Sequence, residues 1–204
     1  MDQWREYDEL QLTPVLRGAL AAFREHGYHG ASVRDIASRV GVTVPGLYYH
    51  HRNKEAMLAA LIDISIHAVV ERVRLAMAAA GDDLRTQLAN TIEAVVLHMT
   101  YHADFAFLDP EFRFLKEETS HSYAEARRAV ERRIADLLAV GVETGVFTAE
   151  IPDGTARALV GMCQSVAFWY RSDGPKSPRE IAREYAAIAL SIVDHELDSP
   201  RLKI

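Results

Sequence analysis

Apolar residues recur every three or four positions along nearly the whole chain, and no alternating pattern persists that would predict a β-strand. A first apolar stripe runs from Leu12 to Phe23. Further helices are predicted over 33–40, 44–50, 54–80, 83–102, 110–118, 120–144, 153–171 and 178–197. The predicted fold class is therefore all-α.

Capping residues divide the first fifty positions into short helices. Ser32 precedes Asp35 at capping-box spacing, and Gly41 follows the last apolar position of the helix that Ser32 opens. Thr43 is placed to cap the next short helix, and Asn53 to cap the long helix after it. Two short helices joined at Gly41 predict a helix-turn-helix, with the second helix offered to the major groove of DNA.

Charge is distributed unevenly along the chain. The 204 residues carry a net charge of −6, yet residues 12–54 hold six arginines and lysines against Glu25 and Asp35. A basic N-terminal segment on an acidic chain indicates an anion-binding face, and nucleic acid is the commonest such partner. Cys163 is the only cysteine, and neither a signal peptide nor an apolar run of ~20 residues is present. A cytoplasmic protein without a membrane partner is expected.

The predicted second helix has the residue types that groove reading requires. Small residues at its start, Thr43 to Gly46, let the backbone approach DNA, and the longer side chains of Tyr48, Tyr49 and His50 follow. Leu47 lies between these groups and is expected to point into the core. Arg34 and Arg52 are candidates for phosphate contacts.

The segment from Leu12 to Leu61, through AAFREHGYHGASVRDIASRVGVTVPGLYYHHRNKEAML, resembles the tetracycline-repressor family of bacterial transcription regulators. The resemblance implies a helix-turn-helix DNA-binding domain over residues 1–53 and a helical ligand-binding and dimerisation domain over 54–204. It implies a homodimer built on the last two helices. With the residue types above, it predicts these DNA contacts: Ser32, Arg34, Thr43, Val44, Pro45, Gly46, Tyr48, Tyr49, His50 and Lys54. The family usually has an aromatic residue where this chain has His51.

Neighbouring histidines and acidic residues also raise the possibility of metal binding or catalysis. Adjacent helical residues such as His50 and His51 point about 100° apart, so they cannot easily share a metal ion. His98 and His102 have helical metal-ligand spacing, but no third ligand is fixed by the sequence. A hydrolase and a helical protein that binds only another protein are the rival functions. Since no nucleophile-elbow or metal signature is present, no enzyme activity, metal or cofactor is predicted.

The C-terminal helices carry two further patterns. Small residues are frequent over 153–171 and 178–197, which favours close helix packing with a twin subunit. Large apolar side chains and histidines in the middle helices predict a pocket for a small effector. The candidate lining residues are His98, Tyr101, His102, Phe105, Phe112, Tyr123, Met162, Phe168 and Trp169. The segment FWYRSDGPKSPREIAREYAAIAL resembles family members that respond to lipid-derived or acyl-coenzyme A molecules.

The function predicted from these features is a ligand-responsive regulator, more specifically a repressor. It would bind a palindromic, double-stranded operator as a homodimer and be released by an apolar or acyl-type effector.

Overall fold

Helices account for the regular structure throughout the described part of the chain. The computed structural model describes residues 3–106, 108, 111, 115, 117–149 and 151–194, without the side chains of 106 and 117–123. A 3₁₀ turn, Gln3–Arg5, precedes the helices, which are α1 (Pro14–Gly30), α2 (Val33–Arg39), α3 (Val44–His50), α4 (Lys54–Ala79), α5 (Leu84–Tyr101), α6 (Ala103–Ala106), α7 (Glu117–Glu143), α8 (Pro152–Trp169) and α9 (Pro178–Asp194). No strand occurs among these residues. The all-α prediction is confirmed.

The predicted caps set the boundaries of α2, α3 and α4. Ser32 Oγ accepts a hydrogen bond from the Asp35 amide at 3.1 Å, and Thr43 Oγ1 accepts one from the Gly46 amide at 3.2 Å. Asn53 Oδ1 accepts from the Ala56 amide at 2.7 Å. Gly41 has a φ of 70°, the left-handed conformation that ends a helix at low cost for glycine.

Two differences from the predicted helices concern the middle and the end of the chain. The helix predicted over 110–118 falls largely outside the described residues. The structure also has α6, at Ala103–Ala106, which the periodicity did not predict because four residues are too few to show an apolar repeat. Of the helix predicted over 178–197, the last three residues also lie outside the described part of the chain.

The chain divides into two compact units. The head unit comprises Tyr7–Ala68 and His102–Arg127, and the body unit comprises Met1–Glu6, Val69–Tyr101 and Arg128–Ile204, in both cases as far as these residues are described. Helix α4 begins in the head unit, immediately after the predicted boundary at residue 53, and ends in the body unit.

In the body unit, α5 packs against both α8 and α9. Ten residues of α5 are buried, including the polar side chains of Asn90, Thr91 and Thr100. Burial raises the pKa of the Cys163 thiol on α8 to about 12, which keeps it protonated at neutral pH. None of the described helices is both long and apolar enough to cross a membrane.

In the head unit, α1 and α2 pack at a point where α1 has no side chain. A Cβ built on Gly18 would lie 2.4 Å from Val40 Cγ1, at the end of α2. Leu47 on α3 is fully buried, as are Phe23 on α1 and Ile36 on α2. Helix α2 packs against both α1 and α3.

Replacing Gly18 with alanine is expected to destabilise the head unit. The added methyl meets a β-branched side chain with one preferred rotamer, so the helices must separate, at a net cost of about 1–2 kcal/mol after the gain in helix propensity. Urea unfolding followed by circular dichroism measures this. Gly30→Ala is the control, because its Cβ would be 3.5 Å from His26 Cβ, an ordinary contact. Equal stability of the two variants would contradict the prediction.

Candidate nucleic-acid interface

Helix α3 presents its aromatic residues to solvent while Leu47 anchors it. Tyr49 is 88% exposed and Tyr48 is 42% exposed, although large apolar rings are normally buried. The rings of Tyr49 and His50 meet edge to face with centroids 5.4 Å apart. Exposed tyrosines with apolar rings and hydroxyl groups suit contact with base edges and thymine methyl groups.

The start of α3 leaves space for a close approach. Thr43 and Pro45 are exposed, whereas Val44 and Gly46 are partly buried. A Cβ on Gly46 would lie 3.3 Å from Thr43 Oγ1, so the glycine keeps the capping geometry undisturbed. The Thr43 hydroxyl accepts the capping bond and retains its own hydrogen, which it can donate to a phosphate oxygen.

Ser32 and Arg34 are both exposed at the N-terminus of α2. Ser32 caps α2 through its oxygen and, like Thr43, keeps a hydroxyl hydrogen to donate. Arg34 has no carboxylate partner among the described residues. A helix N-terminus with a hydroxyl donor and an available guanidinium favours an anion such as phosphate.

The six basic residues of the N-terminal segment have different surroundings. Arg24 pairs with Asp104 at 2.7 Å, and Arg39 pairs with Glu25 and Asp35 at 2.7 and 3.0 Å. Arg17, Arg34 and Arg52 are exposed and, within the described part of the chain, have no carboxylate partner. These three cations are the ones available to an external anion. The sequence named Arg34 and Arg52 as candidate phosphate contacts but not Arg17, because a charge count does not show which cations are already paired.

Lys54 makes contacts that the resemblance did not imply. Its Nζ donates hydrogen bonds to the carbonyl oxygens of Tyr28 at 2.6 Å, Ala31 at 2.9 Å and His29 at 3.4 Å. The ammonium also lies 4.6 Å from the centroid of the Tyr28 ring. An ammonium has three hydrogens, so these carbonyls at the end of α1 satisfy it without a phosphate. Burial lowers the pKa of Lys54 from its ordinary value.

His51 is the C-cap residue of α3 and is partly buried. Its backbone amide donates to the Leu47 carbonyl at 3.2 Å. Burial, followed by the neighbouring His50, lowers the pKa of His51 from 6.5. The folded head unit therefore favours the neutral imidazole at the junction of α3 and α4.

The predicted effector-binding residues are dispersed over both units. In the head unit His102 and Phe105 are buried, with ring centroids 6.2 Å apart, and the Tyr7 ring is centred 5.6 Å from that of His102. In the body unit His98 is buried on α5, Tyr101 is exposed at its end, and Met162 is partly buried on α8. Phe112 and the Tyr123 side chain lie outside the described part of the chain. Among described residues, no three potential ligands are grouped to hold a metal ion.

Phe168 and Trp169 lie on the surface instead of in the interior, where a pocket lining was predicted. Phe168 is 75% exposed and Trp169 is 49% exposed. The Trp169 ring stacks on Tyr185 of α9 with centroids 6.4 Å apart. Both residues lie at the end of α8, beyond its buried residues Leu159, Cys163 and Val166.

Comparison with known proteins places both halves of the chain in one group. Residues 15–61 match the profile of bacterial regulatory proteins of the tetR family, and residues 81–193 match that of the tetracyclin repressor-like C-terminal domain.

A curated relative is similar over most of its length. The HTH-type transcriptional repressor KstR2 of Mycobacterium tuberculosis is 29% identical over 187 residues, which cover 89% of this chain and 92% of that protein.

Solved structures share the fold. PfmR, a TetR family transcriptional regulator from Thermus thermophilus, is 26% identical, with a TM-score of 0.81 over 89% of this chain and 99% of PfmR. AibR, in complex with isovaleryl coenzyme A and operator DNA, is 21% identical, with a TM-score of 0.76 over 85% of this chain and 95% of AibR. At 21% identity, the similarity to AibR is evidence for a shared fold only.

Replacing Lys54 with methionine is expected to reduce stability and leave the salt dependence of DNA binding unchanged. The three carbonyls lose a charged donor, at a cost of about 1–2 kcal/mol, while no phosphate contact is removed. Urea unfolding measures the first effect. The slope of log K against log salt for a duplex measures the second.

Arg34→Met is the matched control for Lys54→Met. Loss of a phosphate contact should reduce that slope by about 0.9, with stability changing by less than ~0.5 kcal/mol. A Lys54→Met variant with full stability and a reduced slope would show that Lys54 contacts phosphate after all.

Replacing His51 with phenylalanine is expected to reduce the pH dependence of stability. The folded pKa of His51 is below its unfolded value, so its stabilising effect is complete above about 6.5 and is lost as pH falls below that. Unfolding free energies at pH 7.5 and 5.5 should therefore differ more in the original protein than in His51→Phe. The other eight histidines are common to both proteins. An equal change in unfolding free energy between pH 7.5 and 5.5 in the original protein and in His51→Phe would rule out this role for His51.

Proposed function

The chain belongs to the tetR family of bacterial regulatory proteins, and from that premise we propose that it is a ligand-responsive transcriptional repressor. It is a regulator and not an enzyme. In this proposal it binds a palindromic operator as a homodimer and is released by a small effector of apolar or acyl type. Since its target is operator DNA, its proposed compartment is the cytoplasm.

The observation that carries the proposal is the exposed aromatic surface of α3 between available cations. Tyr48, Tyr49 and His50 are exposed on one short helix, and Arg34 and Arg52 lie nearby in the sequence without carboxylate partners among the described residues. Phosphate contacts position a protein on the duplex, and side chains in the groove read its sequence. The tyrosines and His50 are therefore the proposed base-reading groups, with the arginines, Ser32 and Thr43 as phosphate-binding groups.

The proposed dimer interface is the exposed face of α8 and α9. On α8 the exposed or partly exposed residues Gly154, Ala158, Gly161, Ser165 and Phe168 recur at intervals of three or four positions. A Cβ on Gly161 would meet nothing within 4 Å, so the helix backbone is open to close approach. On α9, Ile188 and Ile192 are exposed large apolar residues. A second copy of the same face would cover both helices and give the two-fold symmetry that a palindrome requires.

The proposed effector class follows from the residues of the two units and from the relatives. Within the head unit, the buried His102 lies beside the buried Phe105, a combination suited to an apolar ligand with a few polar groups. The structure of KstR2 is described as that of a ketosteroid transcriptional regulator, and AibR was solved with isovaleryl coenzyme A. In this proposal the effector binds one conformation of the protein more tightly than the other. It thereby shifts the population towards that conformation, and α4 transmits the change.

Selection of bound duplexes from a random-sequence library tests the proposal. The protein is expected to enrich a palindromic site, to bind it with two chains per duplex, and to lose affinity as salt is raised. Tyr49→Ala should weaken binding to that site by about 1–3 kcal/mol, which is roughly 5- to 150-fold, because one base contact is lost. Light scattering and gel-shift titrations give the stoichiometry and affinity.

Stability and a distant substitution serve as controls in this experiment. Tyr49→Ala should change the unfolding free energy by less than ~0.5 kcal/mol, since the side chain is almost fully exposed. Ile151→Ala removes an exposed apolar side chain in the body unit and should leave the affinity unchanged. No enriched sequence, or equal affinity of Tyr49→Ala for the selected site, would refute the proposal.

A further inference from the structure

The N-terminal turn is bound to the body unit although its sequence is mostly polar. Trp4 is only 2% exposed, whereas its neighbours Gln3 and Glu6 are exposed. Burying a tryptophan ring removes a large apolar surface from water. We name residues 3–6 the N-terminal anchor.

Arg72 on α4 holds the backbone of this anchor. Its Nη1 donates to the carbonyl oxygens of Trp4 at 3.1 Å and Gln3 at 3.5 Å, and also to that of Glu6. One guanidinium nitrogen thus meets three carbonyls of a single 3₁₀ turn. Hydrogen bonds from a charged donor are stronger than neutral ones, so the turn is fixed to α4.

Arg5 joins the anchor to α5. Its guanidinium lies 4.0 Å from the centroid of the Trp4 ring, and its Nε donates to Glu93 Oε2 at 3.1 Å. Its Nη2 donates to Asn90 Oδ1 at 3.3 Å, and the Asn90 amide in turn donates to the Ala76 carbonyl at 3.1 Å. Asn90 is buried, so the network continues from the anchor into the interior of the body unit.

The anchor is the chain segment that leads directly into the head unit. Tyr7 is the first residue of that unit, and only residues 7–13 separate the anchor from the start of α1 at Pro14. Seven residues span at most about 25 Å when fully extended. The segment Tyr7–Ala68 is therefore connected to the body unit at both ends, through the anchor at one end and through α4 at the other.

We propose that Trp4, Arg5 and Arg72 are positioning residues for operator binding, which act by tethering the head unit to the body unit at a second point. The inference rests on the proposed function, because it concerns how a dimer holds two head units at the separation of two half-sites. When the head unit is attached through both the anchor and α4, binding of the second half-site requires little further loss of conformational entropy. With the anchor released, each head unit keeps its affinity for one half-site, but the pair loses its preferred separation.

The test compares Trp4→Ala and Arg72→Met with the original protein on three kinds of duplex. These are the selected operator, the same operator with its half-sites moved apart by one or two base pairs, and a single half-site. The variants should bind the selected operator at least tenfold more weakly and should discriminate less between spacings. Their affinity for the single half-site should be unchanged.

Arg74→Met is the matched control, since Arg74 lies on the same helix, is exposed and, among the described residues, pairs with the nearby Glu71 at 2.7 Å. It should bind all three duplexes like the original protein. Arg72→Lys, which retains a charged donor, should restore part of the operator affinity that Arg72→Met loses. Arg72→Met retains the buried Trp4 ring, so the test remains decisive even where Trp4→Ala does not fold.

Two outcomes would overturn the inference. A purely structural role for the anchor predicts a lower melting temperature with the spacing preference intact, and a dispensable anchor predicts no change in either. Failure of the proposed function is distinguishable from both, because the original protein would then show no sequence preference or no preference for two half-sites.

Discussion

The contact of Lys54 with the end of α1 is the constraint on which the position of the recognition helix depends. Helix α3 is only seven residues long and lies between α2 and α4, so packing against its neighbours holds it in place. Lys54 is the first residue of α4, and its ammonium binds the carbonyls of Tyr28, His29 and Ala31. Because α4 is 26 residues long and ends in the body unit, this contact joins the helix-turn-helix to the element that leads away from it.

Contacts within the head unit explain why a charge count overestimates the number of cations available to an external anion. Arg24 and Arg39 pair with carboxylates, and Lys54 binds carbonyl dipoles. Arg17, Arg34 and Arg52 are left, among the residues described, for an external anion. Exposed ion pairs contribute little to stability, so the two paired arginines chiefly reduce the positive charge of the surface. The effective basic patch is smaller than the sequence suggests and is concentrated around α2 and α3.

Local features of the fold could be predicted from sequence because they depend on residues three or four positions apart. The caps at Ser32, Thr43 and Asn53 and the left-handed Gly41 follow from such rules and are confirmed. Contacts between distant segments could not be predicted in this way. Lys54 meets carbonyls 23 to 26 positions earlier, and Arg72 meets a turn 66 to 69 positions earlier. A single tryptophan in a polar segment was the only signal of the N-terminal anchor.

Lys54 and Arg72 use the same kind of interaction at two positions along α4. Each is a cation on α4 that binds several carbonyl oxygens where an earlier helical turn ends. These carbonyl oxygens carry partial negative charge, so a cation close to several of them is stabilised. Salt screens partly buried contacts of this kind less than it screens exposed phosphate contacts. Raising the salt concentration is therefore expected to weaken DNA binding while the Lys54 and Arg72 contacts persist. The affinity for DNA then changes without a change in the local structure that these contacts hold.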